Sequence, residues 1–357
     1  MYNVNDLSAV KRRLGCFWRH EDIGRPYLLL TAPKRNTPVP SVDLSYVRRV
    51  RDAARGDFVS AVRDFERWTQ AIVHYGESLP QYSVDLCPDQ YAAFFGADIV
   101  AREGEITTWI GKNLADTLDV LDLTLRRDNK VLCAIENAIR TAASIADGNF
   151  LVQLPDFHSN LDTLSALLTP QNLCYELMDA PEELERSLSK VNGLFGQIYD
   201  IFYEAGSMAR MGTTNWIPIW CEGRSSAIQC DFSCMISPSA ARKYVLPSIE
   251  AELAHLDHAI YHYDGEGALG HFEDVLAIER LDGIQWVPGA GKPRTIEYMD
   301  LLRRIQRAGK SVWIYDWSAE EILADCVLDP ALTIFSLSLP SEDAAEDFID
   351  KLEKKYQ

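Results

Sequence analysis

Long apolar runs are missing from this 357-residue sequence. The most apolar stretch near the N-terminus is only Tyr27 to Ala32, far short of the roughly 18 to 20 residues that a membrane-spanning helix needs. Met1 to Leu7 is polar and is followed by charge, so no secretory leader is expected and the protein reads as cytoplasmic. Basic residues are scarce, 35 against 53 acidic ones. The resulting net charge of -18 repels phosphate backbones and anionic lipid surfaces, which argues against nucleic acid and membrane as partners. Eight cysteines are too few for a disulfide framework in a chain of this length and read as reduced thiols. There is no Gly-x-Ser-x-Gly elbow, Walker loop or dinucleotide fingerprint, which leaves nucleophilic-serine hydrolysis and nucleotide binding without support. Repeats, linkers and low-complexity segments are also absent, so 1–357 is read as one domain.

What is present is an ordinary globular composition, 47% hydrophobic and 25% charged, with β-rich runs alternating with helical stretches in the C-terminal hundred residues. Ala259 to Tyr263, Gly283 to Val287, Ser311 to Tyr315 and Leu332 to Ser336 are predicted strands. Leu269 to Arg280, Thr295 to Ala308, Ser318 to Ala324 and Glu342 to Lys355 are predicted helices. Farther back, Phe150 to Leu154 and Ile217 to Cys221 read as buried strands. Ala180 to Ala205 and Ser237 to Leu256 read as helices, each opened by a proline in its first turn. The fold expected is a single α/β domain, a (β/α)8 TIM barrel with an irregular N-terminal helical extension over about residues 1–140.

In such a barrel the reacting groups stand at the C-terminal ends of strands. Period-two alternation puts Ile260, His262 and Asp264 on one face, and Glu266 follows between two glycines, so these polar groups are expected to converge over the mouth. The bland alternative is a capped turn with a histidine satisfied inside the barrel. Other strand ends offer Trp216, Trp220, Gln229, Asp231, Trp286 and Asp316, a set suited to a cationic or flat ligand, although core packing accounts for many tryptophans. Pro288 to Gly291 could cradle an anion with its backbone amides, but without a phosphate-binding fingerprint it reads as a plain loop. Cys230 and Cys234 would stand about 13 Å apart along an extended strand, too far to chelate one ion, and read as buried thiols. His255, His258 and His262 are expected to face different ways.

The order and spacing of several segments resemble a known superfamily. They are Phe150-Leu-Val-Gln-Leu-Pro-Asp156, Leu177-Met-Asp-Ala-Pro-Glu-Glu183, Cys234-Met-Ile-Ser-Pro-Ser-Ala240 running into Val245-Leu-Pro247, His262-Tyr-Asp-Gly265, and Leu281-Asp-Gly-Ile-Gln-Trp286. The chain is similar to uroporphyrinogen decarboxylase-like proteins, and Tyr261 to Gln285 looks most like the corrinoid-linked methyltransferase or trimethylamine corrinoid protein type. The resemblance implies a distorted TIM barrel, often a homodimer, with its pocket at the C-terminal mouth, and a corrinoid only through a separate partner protein. The arginine-bearing signature of the tetrapyrrole decarboxylases is replaced here by Ala32-Pro-Lys-Arg-Asn36, which disfavours a polycarboxylated tetrapyrrole. The zinc-binding His-x-Cys of the thiol-alkylating members is replaced by His262-x-Asp264, and no thiol lies near Phe335 to Ser338. His262, Asp264 and Glu266 form the candidate donor set for a harder divalent ion, and equally suit metal-free acid or base work.

The leading expectation is a methyltransferase-like enzyme acting on a small methylated or cationic metabolite. His262, Asp264, Glu266 and Asp231 would be catalytic, and Trp216, Trp220, Gln229, Trp286, Asp316 and Asp156 would bind substrate. The alternatives are a decarboxylase or lyase on a small carboxylated substrate, and a non-catalytic metabolite-binding barrel.

Overall fold

The computed structural model describes residues 1–102, 104–105, 107–111, 114, 117–122, 124–325 and 327–356. The strands, in chain order, are β1 (Tyr27–Pro33), β2 (Ile72–Gly76), β3 (Gln81–Tyr82), β4 (Ile99–Ala101), β5 (Thr108–Ile110), β6 (Leu151–Val152), β7 (Ser225–Gln229), β8 (His258–Asp264), β9 (Gly283–Val287), β10 (Ser311–Ile314) and β11 (Thr333–Ser338). Seven of them form one sheet in the order β2-β1-β11-β10-β9-β8-β7, parallel throughout except for the antiparallel β1–β2 pair at one edge. No helix among the described residues is long and apolar enough to cross a membrane.

This sheet is open, where a closed (β/α)8 barrel is the sequence expectation. β3 and β6 form a separate parallel pair, and single hydrogen bonds, such as Leu154 N to Thr214 O at 2.8 Å, link neighbouring segments where a ladder would run. Prolines explain the interruption. Pro80, Pro155 and Pro218 flank the short pairings, and each removes an amide donor from the stretch that closure would require. The residues expected to form a helical extension also supply β1, which lies inside the main sheet between β2 and β11. Ile217 to Cys221 contributes one bridge, Cys221 to Thr213, and the strand follows at Ser225–Gln229. The expected helix over 180–205 divides at Leu194, just after Gly193, into Pro181–Gly193 and Phe195–Ala205. In the helix expected over 237–256, a π-turn at Ala241–Val245 precedes Pro247, which has no N–H to continue the regular ladder.

Alternation along the strands sorts side chains into two sets. Leu28, Leu30, Ile228, Tyr261, Tyr263, Ile284, Trp286 and Phe335 pack outward against the helices in the larger apolar cluster. Tyr27, Leu29, Leu151, Ala227, Ile260, Trp313 and Ile334 point the other way and form a second cluster with Val10, Leu14, Phe17 and Trp18 of the helix Leu7–Trp18. This helix, capped by the Asp6 side chain on Ala9 N, therefore seals the end of the sheet at which the parallel strands begin. Glu77 fastens the same end. It is fully buried, pairs with Arg13 at 2.5 Å and Arg25 at 2.9 Å, and accepts a hydrogen bond from Leu28 N at 2.8 Å.

Candidate functional site

One step farther along the sealed face, the residues become polar. Ala227 gives way to Gln229, Ile260 to His262 and then Asp264, Gly283 to Gln285, and Leu151 to Gln153. Gln229 Nε2 donates to Asp156 Oδ1 at 2.8 Å, and Trp216 Nε1 donates to the same oxygen at 3.0 Å. Trp216 also stands edge-on to the His262 ring, with centroids 5.1 Å apart. The chain leaves β7 through Cys230 into a 3₁₀ turn at Asp231–Met235. Asp162 pins that turn by accepting from both Asp231 N (2.9 Å) and Phe232 N (2.8 Å).

His262 Nδ1 lies 2.6 Å from Gln285 Oε1, the residue opposite it on β9. Because an amide oxygen only accepts, Nδ1 carries the proton and Nε2 is left with a lone pair when the ring is neutral. That Nε2 is 3.9 Å from Asp231 Oδ1. Asp231 Oδ1 and Asp264 Oδ1 are both shielded from solvent and have no hydrogen-bond partner among the described residues. Burial and the Asp231 charge push the Asp264 carboxyl above its usual range. Burial, with the charges of Asp231 and Asp264, also pushes the Cys234 thiol up.

A second set abuts this one. His158 lies 3.2 Å from both Asp89 and Asp156 and 3.9 Å from Asp162. Burial opposes its protonation, but the charge of Asp156 and the hydrogen bonds to Asp156 and Asp89 outweigh burial and hold the ring well above its usual value. Burial and then the Asp231 charge push Asp162 up to about 7. Glu252 lies behind both sets, fully buried, and burial pushes it up to about 7. Its Oε1 accepts from the Ser159 hydroxyl and from Asn160 Nδ2 (2.9 Å), while Oε2 has no partner among the described residues. These bonds hold Asn160 in a left-handed conformation, φ 57°, at the start of the helix Asn160–Leu168 that carries Asp162.

The donor atoms of Asp231, His262 and Asp264 lie within 4.8 Å of one another, as do those of His158, Asp162 and Asp231. Two carboxylate oxygens without donors, beside an imidazole whose far nitrogen is already held by an amide, fit a hard divalent cation or a protonated group. In such a set Asp231 takes the place expected of Glu266. Glu266 instead accepts from Lys292 Nζ (2.5 Å) and Tyr298 OH (2.7 Å), because the alternation ends at Gly265, whose φ of 84° turns the chain away.

The structure thus brings together Asp156, Trp216, Gln229, Asp231, His262 and Asp264, and sets Glu266, Trp220, Trp286 and Asp316 elsewhere. Trp220 is at the sealed end, donating to Met211 O at 2.8 Å beneath Lys11. Trp286, one residue out of phase with Gln285, packs outward on Tyr263 and Tyr298. Asp316 ties the end of β10 to Thr295, accepting from its N at 2.9 Å and from its hydroxyl. His255 pairs with Asp200 and His258 with Asp282, each away from His262. Asp89, His158, Asp162 and Glu252 are additions that the sequence reading missed. The available signal was Asp156-Phe-His158 in the loop after a strand, the same spacing logic as His262-x-Asp264.

No protein-family model matches the sequence, and a search of curated proteins finds no match. Among solved structures, a methyltransferase from Methanosarcina mazei superposes with a TM-score of 0.62 at 9% sequence identity, over 98% of this chain and 99% of that one. The chain therefore shares a methyltransferase-like fold over essentially its whole length, and at that identity the likeness concerns the fold alone.

Proposed function

We propose that the protein is a methyltransferase-like enzyme of the uroporphyrinogen decarboxylase-like type, acting on a small methylated or cationic metabolite at the Asp231–His262–Asp264 cluster. One observation carries this reading: among the described residues, two carboxylate oxygens shielded from water have no donor, and no Lys or Arg pairs with Asp156, Asp162, Asp231 or Asp264. Such a centre is completed by positive charge. Asp231 and Asp264 would stabilise a cation, His262 Nε2 would accept or return a proton at the reacting group, and Trp216 would wall the space beside it. His262, Asp231 and Asp264 would also hold a divalent ion, which when bound supplies Lewis acidity. A separate corrinoid protein is the methyl-carrying partner that the resemblance implies, and a homodimer belongs to the same reading. The decarboxylase alternative is disfavoured, since a carboxylated substrate would meet carboxylates with no Lys or Arg among the described residues to offset them.

The test is to incubate the protein with a reduced corrinoid protein and a panel of methylated amines, following the cobalt absorption spectrum. A change that depends on one amine and is lost in His262→Ala supports the proposal. An unchanged spectrum across the panel overturns it.

A further inference from the structure

Asp231 also borders a cavity of about 520 Å³ that His262 and Asp264 do not line. Asp89, His158, Asp162 and Asp231 line its floor, and Trp109 and Met235 stand at its rim. Its size lies within the range of small-molecule sites. The rim is unusual for this molecule. Trp109 is 49% exposed and Met235 53%, and few large apolar side chains among the described residues are so exposed. Trp109 sits on β5, paired with β4 through Val100, and its indole N–H donates to Glu105 Oε2 at 2.8 Å, which fixes the ring and adds negative charge beside it.

The floor offers charge more than coordination. Both oxygens of Asp162 already receive backbone amides, and both ring nitrogens of His158 face carboxylates. Three acidic side chains against one imidazolium leave the cavity net negative, and no Lys or Arg among the described residues lines it. A bare metal ion would gain nothing from an indole face and a thioether at the entrance. A cation carrying alkyl groups would use all of these features: diffuse charge for the floor, methyl groups for Met235, and a cationic face for the Trp109 ring.

We propose that this cavity binds the alkylated ammonium headgroup of a small organic cation, with Trp109 as the aromatic contact at its mouth. The inference rests on the reading that the neighbouring centre takes a cationic substrate, but it concerns binding alone and does not require methyl transfer.

Calorimetric titration of the full chain in about 0.15 M salt, which screens loose surface charge, tests it with tetramethylammonium and its neutral isostere tert-butanol. Saturable binding of tetramethylammonium only is expected. Trp109→Leu, which keeps an apolar side chain but removes the ring, should weaken that binding about 5- to 30-fold, while Trp109→Phe should stay within about threefold of the parent. No saturable binding of tetramethylammonium, equal binding of tert-butanol, or full affinity in Trp109→Leu would each overturn the proposal. Because Trp109 is half exposed, its replacement leaves the core intact, and an unchanged melting temperature verifies this. Binding without methyl transfer would keep this site and remove the methyltransferase reading, whereas methyl transfer without binding here would do the reverse.

Discussion

The two ends of one set of strands divide the molecule's work. Where the parallel strands begin, the inward residues are Tyr27, Leu29, Ala227, Ile260 and Ile334, packed dry against Phe17 and Trp18. About 7 Å farther along, two residues of strand rise, the same face carries Gln229, His262 and Gln285. The first end lowers free energy by removing apolar surface from water. The second assembles carboxylates and histidines that repel one another or lack partners, an arrangement that costs stability and that proteins retain where chemistry or binding uses it. The packed end and the candidate site are thus separated along the strand axis, and substitutions at the two ends should behave in opposite ways.

The largest effect is expected at the sealed end. Phe17→Ala removes a fully buried ring and should cost about 3 to 5 kcal/mol in urea denaturation, with tetramethylammonium affinity unchanged; a concurrent loss of affinity would mean that the ends are coupled. Next comes Glu252, beneath the open end. Burial raises it to about 7 from an ordinary 4.5, so the folded chain keeps a proton that the unfolded chain releases between those values. Its stabilising contribution is full below about pH 4.5, declines as pH rises to about 7, and is gone above, an amount on the order of 3 kcal/mol. Glu252→Gln should flatten that decline and exceed the parent in stability at pH 8; parallel stability curves for the two proteins at pH 5.5 and 8 would refute the assignment.

A smaller effect is expected from Gln285→Leu, which deprives His262 Nδ1 of its acceptor and frees the ring to change tautomer. Methyl transfer should fall about 10- to 100-fold with little change in melting temperature, and an unaltered rate would show that the ring is held by something else. A small stability effect of the opposite sign is expected from Asp264→Asn, which relieves the repulsion with Asp231. The melting temperature should hold or rise, by about 0.5 to 1 kcal/mol of added stability, while turnover is lost. A clear drop in stability would place Asp264 among the structural residues instead.

How much of this was legible depended on how strongly each segment is punctuated. The four C-terminal strands stand out because β-rich runs end at Asp264, Pro288 and Asp316, and their observed bounds differ from the expected ones by two residues at most. Ser225–Gln229 escaped because Ser-Ser-Ala carries little β-branched or aromatic signal, although the strand is wholly buried. Parity decided the site residues. Alternation along β8 places His262 with Asp264, and the same rule applied to β9 selects Gln285 and turns Trp286 outward, whereas nearness to a strand end alone had suggested the tryptophan. Asp89, His158 and Asp162 come from the cap of the short helix Gln90–Ala93, the loop after the two-residue β6 and the first turn of the helix Asn160–Leu168, where no periodicity exists to be read. Their meeting depends on Asn160 holding a left-handed turn, a tertiary outcome of its bonds to Gln229 O and Glu252.

The plug formed by the helix Leu7–Trp18 has a kinetic corollary. With the far side stoppered by packed apolar rings, that route is shut, and on the proposed methyltransferase reading reactants, products and a partner protein would all approach from the polar end of the strands. Sharing that approach would impose order on such a reaction, a departing product clearing the way before the next arrival.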